Sequence, residues 1–330
     1  MYSSYSSLQQ SQLAAQGYYD TQSTYLLVYA PGRNTALRAT LADQLHRKFR
    51  LADTLGSALT EGVDGVLLVS EDVECMSTAL MCFAKALQDG ADYAVCNAVF
   101  GFGGATALYQ SRAHLAQNRC ALVSRPLLER CRAAAKDPEN VTELLALAAQ
   151  FCTHPARIPQ ALLHYERDIC AEDAFSATGK RAFLMSHVLD MTGAPIVLVS
   201  AVPVLRSMGY EVVVLGPSDG GALQLFVDAG AAVITRPGIR ATPNLWGLAL
   251  CTDLVLVNTV VMARTVRALS GTAVPVLWWL HDAFAGYPHI AHQIPTKLAE
   301  NVRLYSVGHH AANAMHAVRP DFQIGQLIYG

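Results

Sequence analysis

A histidine and an aspartate follow directly on one of the most apolar stretches of the chain. His281 and Asp282 come after the run VPVLWWL (274–280), which has the length and composition of a buried strand. Open α/β sheets bind ligands at the carboxyl ends of their strands, so both side chains are predicted to meet substrate there. Imidazole and carboxylate groups can orient substrate or move protons. The pair is the first candidate for catalysis, and a hydrogen-bonded structural histidine is the alternative interpretation.

Thr259 and the segment 306–310 lie at strand ends that could line one cleft, and polar residues and glycines that end or follow the other apolar runs of the second half are candidates for substrate binding. The candidates are Ser186, His187, Thr192, Gly193, Ala194, Asp219, Gly220, Asn258 and His309. Gly193 permits close approach of a ligand to the backbone, and the helix that follows offers free N–H groups to an anion. The alternatives are a ligand-free turn at 192–194, a plain turn at 219–220 and a helix cap at His309.

Short β-branched runs alternate with helical stretches in the second half, which predicts a parallel sheet covered by helices on both faces. The predicted strands are 182–188, 211–216, 231–236, 253–258, 274–280 and 302–308, with a last short strand in FQIGQLIYG. A helix is predicted to begin at Pro195, because proline is tolerated at the first helical position, and to run to about Met208. Gly209 then suits the helix C-terminus. The predicted fold class is α/β, with a doubly wound sheet in this half.

The first half is less regular. Strands are predicted at 24–31, 64–70 and 91–101, and helices near 35–49, 76–89, 125–134 and 141–152. The small and polar residues 171–180 separate the two patterns, so they are predicted to link a domain at 25–170 to one at 181–330. Residues 1–24 are predicted to be a loose polar tail.

Composition and charge exclude several classes of protein. A chain of 330 residues with 52% hydrophobic and 15% charged residues is globular and not disordered. Its net charge of -2 offers no excess of cations for a nucleic acid. Eight cysteines without CxxC pairs, and no signal peptide at the start, favour reduced thiols in a cytoplasmic protein. The apolar run 195–205 is too short to span a bilayer, which leaves only peripheral membrane contact.

Five motifs of the second half resemble, in wording and order, the first domain of family 4 glycosyltransferases. The motifs are FLMSHVLDMTGAP, GYEVVVLGPSDGG, VDAGAAVI, DLVLVNTV and PVLWWLHD. The resemblance implies one half of a GT-B fold, in which two facing nucleotide-fold domains enclose the active site. It further implies that His281 contacts the sugar or acceptor near the reaction centre. A dehydrogenase is disfavoured, because the G-x-G-x-x-G spacing is absent and no acidic residue ends the second strand at Leu215.

Family 4 members usually retain anomeric configuration, need no metal cofactor and bind most of the nucleotide on a C-terminal domain. The resemblance therefore implies a hexosyltransferase-like enzyme of polysaccharide or glycoconjugate synthesis, with a nucleotide sugar and a glycan acceptor as substrates. The chain stops before a second nucleotide-fold domain begins, so by itself it is expected to bind donor weakly and to turn over slowly or not at all. That second domain, or a partner protein, is expected to complete it.

The first half weakly resembles a shortened family 2 glycosyltransferase of GT-A fold, in which an acidic motif holds a divalent cation. Here the motif reads Ser70-Glu71-Asp72, with Glu143 where an acidic base is often found. A serine replaces the first aspartate, and about 30 residues before the motif leave too little room for the usual nucleotide-binding βαβ unit. We therefore expect a donor-free docking or acceptor-positioning domain and assign no metal ligands. An unrelated small α/β domain is the alternative.

Two other functions remain open at this point. One is a non-catalytic scaffold built from degenerate transferase domains, which the broken acidic motif favours. The other is an active, cation-dependent first half, which manganese-dependent donor hydrolysis abolished by Asp72→Ala would support.

Overall fold

The computed structural model describes residues 16–32, 34–56, 59, 62–102, 105–110, 119–175, 179–239 and 246–328. The chain divides into two compact units. Unit 1 comprises residues 1–100 and 110–167, and unit 2 comprises residues 101–109 and 168–330. Within the described ranges, every helix is too short or too polar to cross a membrane.

The strands are β1 (Leu26–Tyr29), β2 (Phe49–Ala52), β3 (Gly65–Val69), β4 (Glu74–Cys75), β5 (Tyr93–Phe102), β6 (Ala105–Gln110), β7 (Cys120–Ser124), β8 (Pro155–Asp168), β9 (Lys180–Met185), β10 (Tyr210–Gly216), β11 (Ala232–Thr235), β12 (Leu254–Asn258), β13 (Val276–Leu280), β14 (Val302–Ser306) and β15 (Ile324–Gln326). The α-helices are α1 (Thr35–Leu41), α2 (Ala79–Gln88), α3 (Arg125–Ala134), α4 (Val141–Phe151), α5 (Ala171–Ala174), α6 (Gly193–Ser207), α7 (Leu223–Asp228), α8 (Trp246–Ala249), α9 (Ala263–Leu269) and α10 (His309–His316). Short 3-10 turns occupy Tyr18–Ser23, Val260–Met262, Phe284–Gly286 and Ala291–Gln293.

In unit 1, β1 lies between β2 and β3, and the three strands are parallel. β7 is antiparallel to both β3 and β5. The prediction of one helix over 35–49 was wrong, because α1 ends at Leu41 and the chain then forms β2. The argument that a βαβ unit cannot precede the acidic motif was also wrong. A seven-residue helix makes the β1–α1–β2 crossover compact enough to fit.

In unit 2, the strands are parallel and follow the order β11-β10-β9-β12-β13-β14-β15. Residues 182–185 of β9, which alternate between the two faces, are all fully buried. Both faces are therefore covered, as expected for parallel sheets. The chain moves from β9 to β11 on one side and returns to β12 on the other, so right-handed crossovers place helices on both faces. The predicted doubly wound α/β fold of this half is confirmed.

Two details of unit 2 differ from the predictions. β9 ends at Met185, so Ser186 and His187 lie in the loop after the strand instead of ending it. Helix α6 begins at Gly193, which puts Pro195 at its third position. That position still lies in the first turn, whose N–H groups have no partner within the helix. Pro203 lies inside the helix, where it removes one backbone hydrogen bond.

Two glycines hold the loop after β10 against the loop after β9. A Cβ atom on Gly216 would lie 2.4 Å from the side chain of Leu189, and one on Gly220 would lie 2.3 Å from the carbonyl oxygen of Leu189. The backbone N–H of Ala222 donates to that oxygen at 2.8 Å. The close approach requires glycine at Gly220, because the backbone atoms that a Cβ would meet there cannot move aside, whereas at Gly216 a Cβ would have to displace the side chain of Leu189.

This packing predicts opposite effects for two Gly→Ala substitutions. Gly220→Ala forces the two loops apart and should lower the free energy of unfolding of unit 2 by about 1–3 kcal/mol. Gly193→Ala meets no atom within 4 Å, so it should leave stability unchanged or raise it by about 0.4–1 kcal/mol. All three tryptophans lie in unit 2, so their fluorescence during urea unfolding measures both changes. Equal unfolding midpoints for the two variants would contradict this account.

Candidate functional site

The strand order of unit 2 reverses at β9, which has β10 on one side and β12 on the other. Such a switch point opens a crevice at the carboxyl ends of the strands. Met185 pairs with Val257 of β12, and Asn258 pairs with Trp279 of β13, so the segments after these strands emerge side by side. The predicted residues that the fold brings to this edge are Ser186, His187, Asn258, His281 and Asp282.

Ser186 is the first residue of the loop after β9, and its hydrogen bonds fix the path of that loop. It is fully buried, and its hydroxyl donates to the carbonyl oxygen of Val188 at 2.6 Å. Its backbone N–H donates to Leu215 of β10 at 2.9 Å. These bonds fix where the next residue, His187, leaves the sheet.

His187 contacts the residue that follows β12, the strand that pairs with β9 on the side opposite β10. Its Nδ1 lies 3.2 Å from the hydroxyl oxygen of Thr259, which follows β12. The imidazole is half-buried, whereas Thr259 is almost completely buried. The hydrogen bond joins the ends of β9 and β12 across the switch point.

Thr259 has an unusual backbone. Its φ of 71° and ψ of 160° lie in a region populated almost only by glycine, and it is the one non-glycine residue with positive φ in the described part of the chain. Such a conformation costs about 1–3 kcal/mol and persists only where surrounding contacts enforce it. Here its N–H donates to Trp279 O at 2.8 Å, and its carbonyl accepts from Trp278 Nε1 at 2.8 Å. The sequence placed Thr259 beside Asn258 at a strand end that could line the cleft, but strain of this kind leaves no mark in a residue type.

His281 is a neutral imidazole at pH 7. Burial lowers its pKa to about 4, and the nearby charge of His187 acts in the same direction. Its ring packs against that of Trp279, with centroids 4.8 Å apart. Its Nε2 is buried without a hydrogen-bond partner. A neutral ring with one unsatisfied nitrogen can donate or accept one hydrogen bond, according to its tautomer.

One carboxylate oxygen of Asp282 is already used in a hydrogen bond within the protein. Its Oδ2 accepts a hydrogen bond from the N–H of Val260 at 2.6 Å. Burial raises the pKa of this carboxyl, and the Val260 N–H opposes that rise. One oxygen therefore fixes the 3-10 turn after β12 to the end of β13.

The first turn of α6 opens onto the same edge. Thr192 precedes the helix but makes no side-chain cap, and the space beside Gly193 is open to 4 Å. Asn258 is fully buried, and its Nδ2 donates to the carbonyl oxygen of Ala194 at 3.0 Å. That bond ties the helix N-terminus to the end of β12. It also fixes the amide so that Oδ1, which has no partner, is the free acceptor.

The remaining predicted residues lie farther from the switch point. Gly220 packs against the backbone of Leu189, which by itself accounts for a glycine there. Asp219 is exposed, and its carboxylate accepts only a long bond, 3.5 Å, from the Thr235 hydroxyl. His309 is exposed at the start of α10, with Gln326 Nε2 3.3 Å from its Nδ1. His309 follows β14, two strands beyond β12.

Two further residues lie at this edge: Tyr287, which sequence reasoning did not select, and Ser306, which it named only as the start of the segment 306–310. Each is buried, and each hydroxyl oxygen lacks a hydrogen-bond partner. Ser306 pairs with Leu280, so it lies beside the start of the His281 segment. Together with Asn258 Oδ1 and His281 Nε2, the described part of unit 2 has four such buried atoms near the ends of neighbouring strands. Buried polar atoms are nearly always satisfied, so ligand or water atoms are needed here.

The acidic motif of unit 1 is engaged by protein groups. Asp72 accepts hydrogen bonds of 3.1 Å from the hydroxyl of Thr35 and the N–H groups of Ala36 and Leu37, at the start of α1. Glu71 pairs with Arg167 at 2.5 Å. Glu143, the other acidic candidate, accepts from the N–H groups at 136 and 137. Within the described ranges, no three His, Cys, Asp or Glu residues are grouped for a metal ion.

Two surface grooves lie away from these residues. One, of about 760 Å³, is lined by residues 296–300 and 321–323 together with β14 and β15, so it lies at the amino ends of those strands. The other, of about 410 Å³ in unit 1, is lined by residues of α2 and the start of β8. Neither contains the unsatisfied atoms at the carboxyl edge, where doubly wound sheets bind ligands. The unsatisfied atoms make that edge the candidate site, although both of these grooves lie elsewhere.

Comparison with known proteins identifies the segment that carries this edge. Residues 178–316 match a family model described as Glycosyl-transferase family 4. No curated protein and no solved structure matched the chain. The matched segment is family 4 glycosyltransferase-like, as predicted, and it contains every residue of the candidate site. It supports a sugar-transferring activity in general terms.

The neutral state of His281 predicts a pH dependence of stability. Because its folded pKa of about 4 lies below the ordinary 6.5, the unfolded chain binds more protons between these values, so stability falls as pH falls through that window. Asp282, with a raised pKa, acts in the opposite direction, but a His281→Asn variant retains it. Urea unfolding at about pH 7.5 and pH 5 should therefore show a larger loss in wild type than in the variant. Equal losses would contradict a buried neutral imidazole.

Asp72 is predicted to stabilise α1. Burial acts to raise its pKa, but the hydrogen bonds from Leu37, Ala36 and Thr35 together lower it, so the stabilisation is present above the ordinary pKa and lost as pH falls through the lowered one. Asp72→Ala should cost about 0.5–2 kcal/mol, as loss of a helix cap does, and should speed hydrogen exchange of the α1 amides. Asp53→Ala, which removes an exposed pair with Arg38 on the same helix, should cost about 0–1 kcal/mol. Similar exchange in both variants would exclude the capping role.

Proposed function

We propose that this chain takes part in transferring a sugar from a nucleotide sugar to a glycan acceptor, with the carboxyl edge of unit 2 as the acceptor-side half of the site. The observation that carries the proposal is the group of buried, unsatisfied polar atoms at the switch point of a family 4 glycosyltransferase-like segment. Their chemistry supports it. Asn258 Oδ1, His281 Nε2 and the hydroxyl of Tyr287 are neutral hydrogen-bonding groups, as sugar hydroxyls require.

The N-terminus of α6 supports an anionic partner at the same edge. The N–H groups of Gly193 and Ala194 belong to the first turn of a 15-residue helix, where the helix dipole favours negative charge. A phosphate of the nucleotide sugar would be held there by backbone groups alone. In this proposal the helix N-terminus stabilises the departing diphosphate, and the neutral groups on β12 and β13 position the acceptor.

The low pKa of the His281 imidazole limits the catalytic role that it can have. A base with a pKa of about 4 takes few protons at pH 7, so general-base catalysis by this imidazole would be weak. Orientation of a hydroxyl or polarisation of a substrate group needs only the hydrogen bond that Nε2 has to offer. We propose that role, together with retention of anomeric configuration and transfer without a metal cofactor. A cytoplasmic location remains part of the proposal.

For unit 1 we propose a docking or acceptor-positioning role, with degenerate descent from a GT-A transferase. The engagement of Asp72 with α1 and of Glu71 with Arg167 supports this role. The same observation favours a second candidate function, a non-catalytic scaffold that binds glycans or a partner enzyme. An active unit 1 would need these carboxylates to leave their partners and turn to a cation.

Calorimetric titration with nucleotide diphosphates and nucleotide sugars, with and without manganese, tests the proposal. Wild type should bind without metal, and His281→Ala should weaken binding of the sugar-bearing compounds most, since the free diphosphates reach mainly α6. Gly193→Ala should weaken both classes, because a methyl group intrudes where the phosphate approaches. Gly247→Ala is the matched control, since it also meets no atom within 4 Å.

Three outcomes separate the candidate functions. Metal-independent binding that both site variants weaken supports the proposed site. Binding that requires manganese and disappears in Asp72→Ala would instead show an active unit 1. Binding of glycan fragments without any binding of nucleotide compounds would favour the scaffold.

A further inference from the structure

Thr259 connects three strand ends at the switch point, and it does so in a conformation that its residue type disfavours. A β-branched side chain at a φ of 71° is rare, and a glycine would adopt it without strain. The chain nevertheless has a threonine, with 1% of its surface exposed. The side chain must therefore contribute something that glycine lacks.

The contacts of Thr259 show what that contribution is. Its hydroxyl oxygen lies 3.2 Å from Nδ1 of His187. Its N–H and C=O are bound to Trp279 and to the indole of Trp278, so neither the backbone nor the hydroxyl is free to turn. The next N–H, that of Val260, holds the carboxylate of Asp282. One residue thus links the loop after β9 to the end of β13.

We infer that Thr259 is a positioning residue of this site, whose hydroxyl fixes the orientation of the His187 imidazole relative to His281 and Asp282. In the observed backbone conformation, the hydroxyl oxygen lies 3.2 Å from Nδ1 of the ring. The methyl group and the buried environment restrict χ1, as in other β-branched residues, so the hydroxyl has one stable direction. That His187 then contacts substrate rests on the proposed function, whereas its positioning by Thr259 does not.

Other titratable groups act on the same imidazole. His281 and Asp282 lie close enough to His187 for their charges to interact with it. A change at Thr259 is therefore best measured on the ring itself at one fixed pH. Ring-nitrogen NMR signals report tautomer and hydrogen bonding, which a purely structural role of Thr259 would leave unchanged.

The test compares three variants by ring-nitrogen NMR of the whole chain, with the His187 signals assigned from a His187→Asn variant. Thr259→Val keeps the branched shape and removes the hydroxyl, so it should shift the His187 ring-nitrogen signals away from their wild-type positions. Thr259→Ser restores the hydroxyl and should return them toward wild type. Thr265→Val is the matched control, because Thr265 is also fully buried in unit 2 and its hydroxyl has no partner. It should leave His187 unchanged.

Unchanged His187 signals in folded Thr259→Val would overturn the inference, as would equal shifts in Thr265→Val. If Thr259→Val does not fold, the reverse measurement applies. His187→Asn should then shift the methyl carbon signal of Thr259 but not that of Thr265, and no shift at Thr259 would overturn the inference.

Titration of the variants with the nucleotide sugars separates this inference from the proposed function. Shifted His187 signals with weakened binding support both. Shifted signals with unchanged binding support the positioning role and count against the use of His187 in the proposed site.

Discussion

The contact between Leu189 and two glycines, one against its side chain and one against its backbone, fixes the geometry on which the site of unit 2 depends. Gly216 and Gly220 leave no room for a Cβ atom, so the loop after β9 lies directly against the loop after β10. Ser186 and Ala222 add hydrogen bonds across the same contact. With that loop immobile, His187 leaves the sheet at one place and α6 begins at one place. The remaining groups of the site are then positioned from the other side, by β12 and β13.

On that other side, the side chains of Asn258, Asp282 and His281 complete the framework. Each of them is held by a contact with the protein. The side-chain N–H₂ group of Asn258 donates to the carbonyl oxygen of Ala194, and its Oδ1 has no partner among the described residues. One carboxylate oxygen of Asp282 accepts a hydrogen bond from the backbone N–H of Val260. The ring of His281 packs against that of Trp279, and its Nε2 has no hydrogen-bond partner among the described residues. Because each side chain is held by contacts with the protein, its polar atoms are positioned before a substrate binds. Such preorganisation lets hydrogen bonds act on a substrate without reorganising the protein.

Sequence reasoning found the strands of unit 2 because buried parallel strands are continuous apolar runs, and such runs need no partner to be recognised. The position of His281 and Asn258 after such runs followed from the fold class. Other features depend on contacts distant in sequence. β2 was missed because residues 49–52 are only partly apolar, and its pairing with β1 determines its state. The strain at Thr259 and the unsatisfied hydroxyls of Tyr287 and Ser306 arise only when several strand ends meet. For Gly220 the residue type suggested a turn or a ligand, and only the distance to Leu189 shows the packing.

The two units use the ends of their strands in different ways. In unit 1 the carboxylates after β3 are each matched by donors of the protein, Asp72 by the start of α1 and Glu71 by Arg167, whose guanidinium also lies over the rings of Phe100 and Tyr165. A ligand there would have to displace contacts that stabilise the unit. In unit 2, four buried atoms at this edge have no partner among the described residues: Asn258 Oδ1, His281 Nε2 and the hydroxyls of Tyr287 and Ser306. A ligand could bind these atoms without displacing a contact between protein groups. Leaving a buried polar group unsatisfied costs about 1–3 kcal/mol, and a ligand with matching donors and acceptors avoids that cost in place of water. On this ground the edge of unit 2, more than the acidic motif of unit 1, is the place where the chain gains free energy from a ligand.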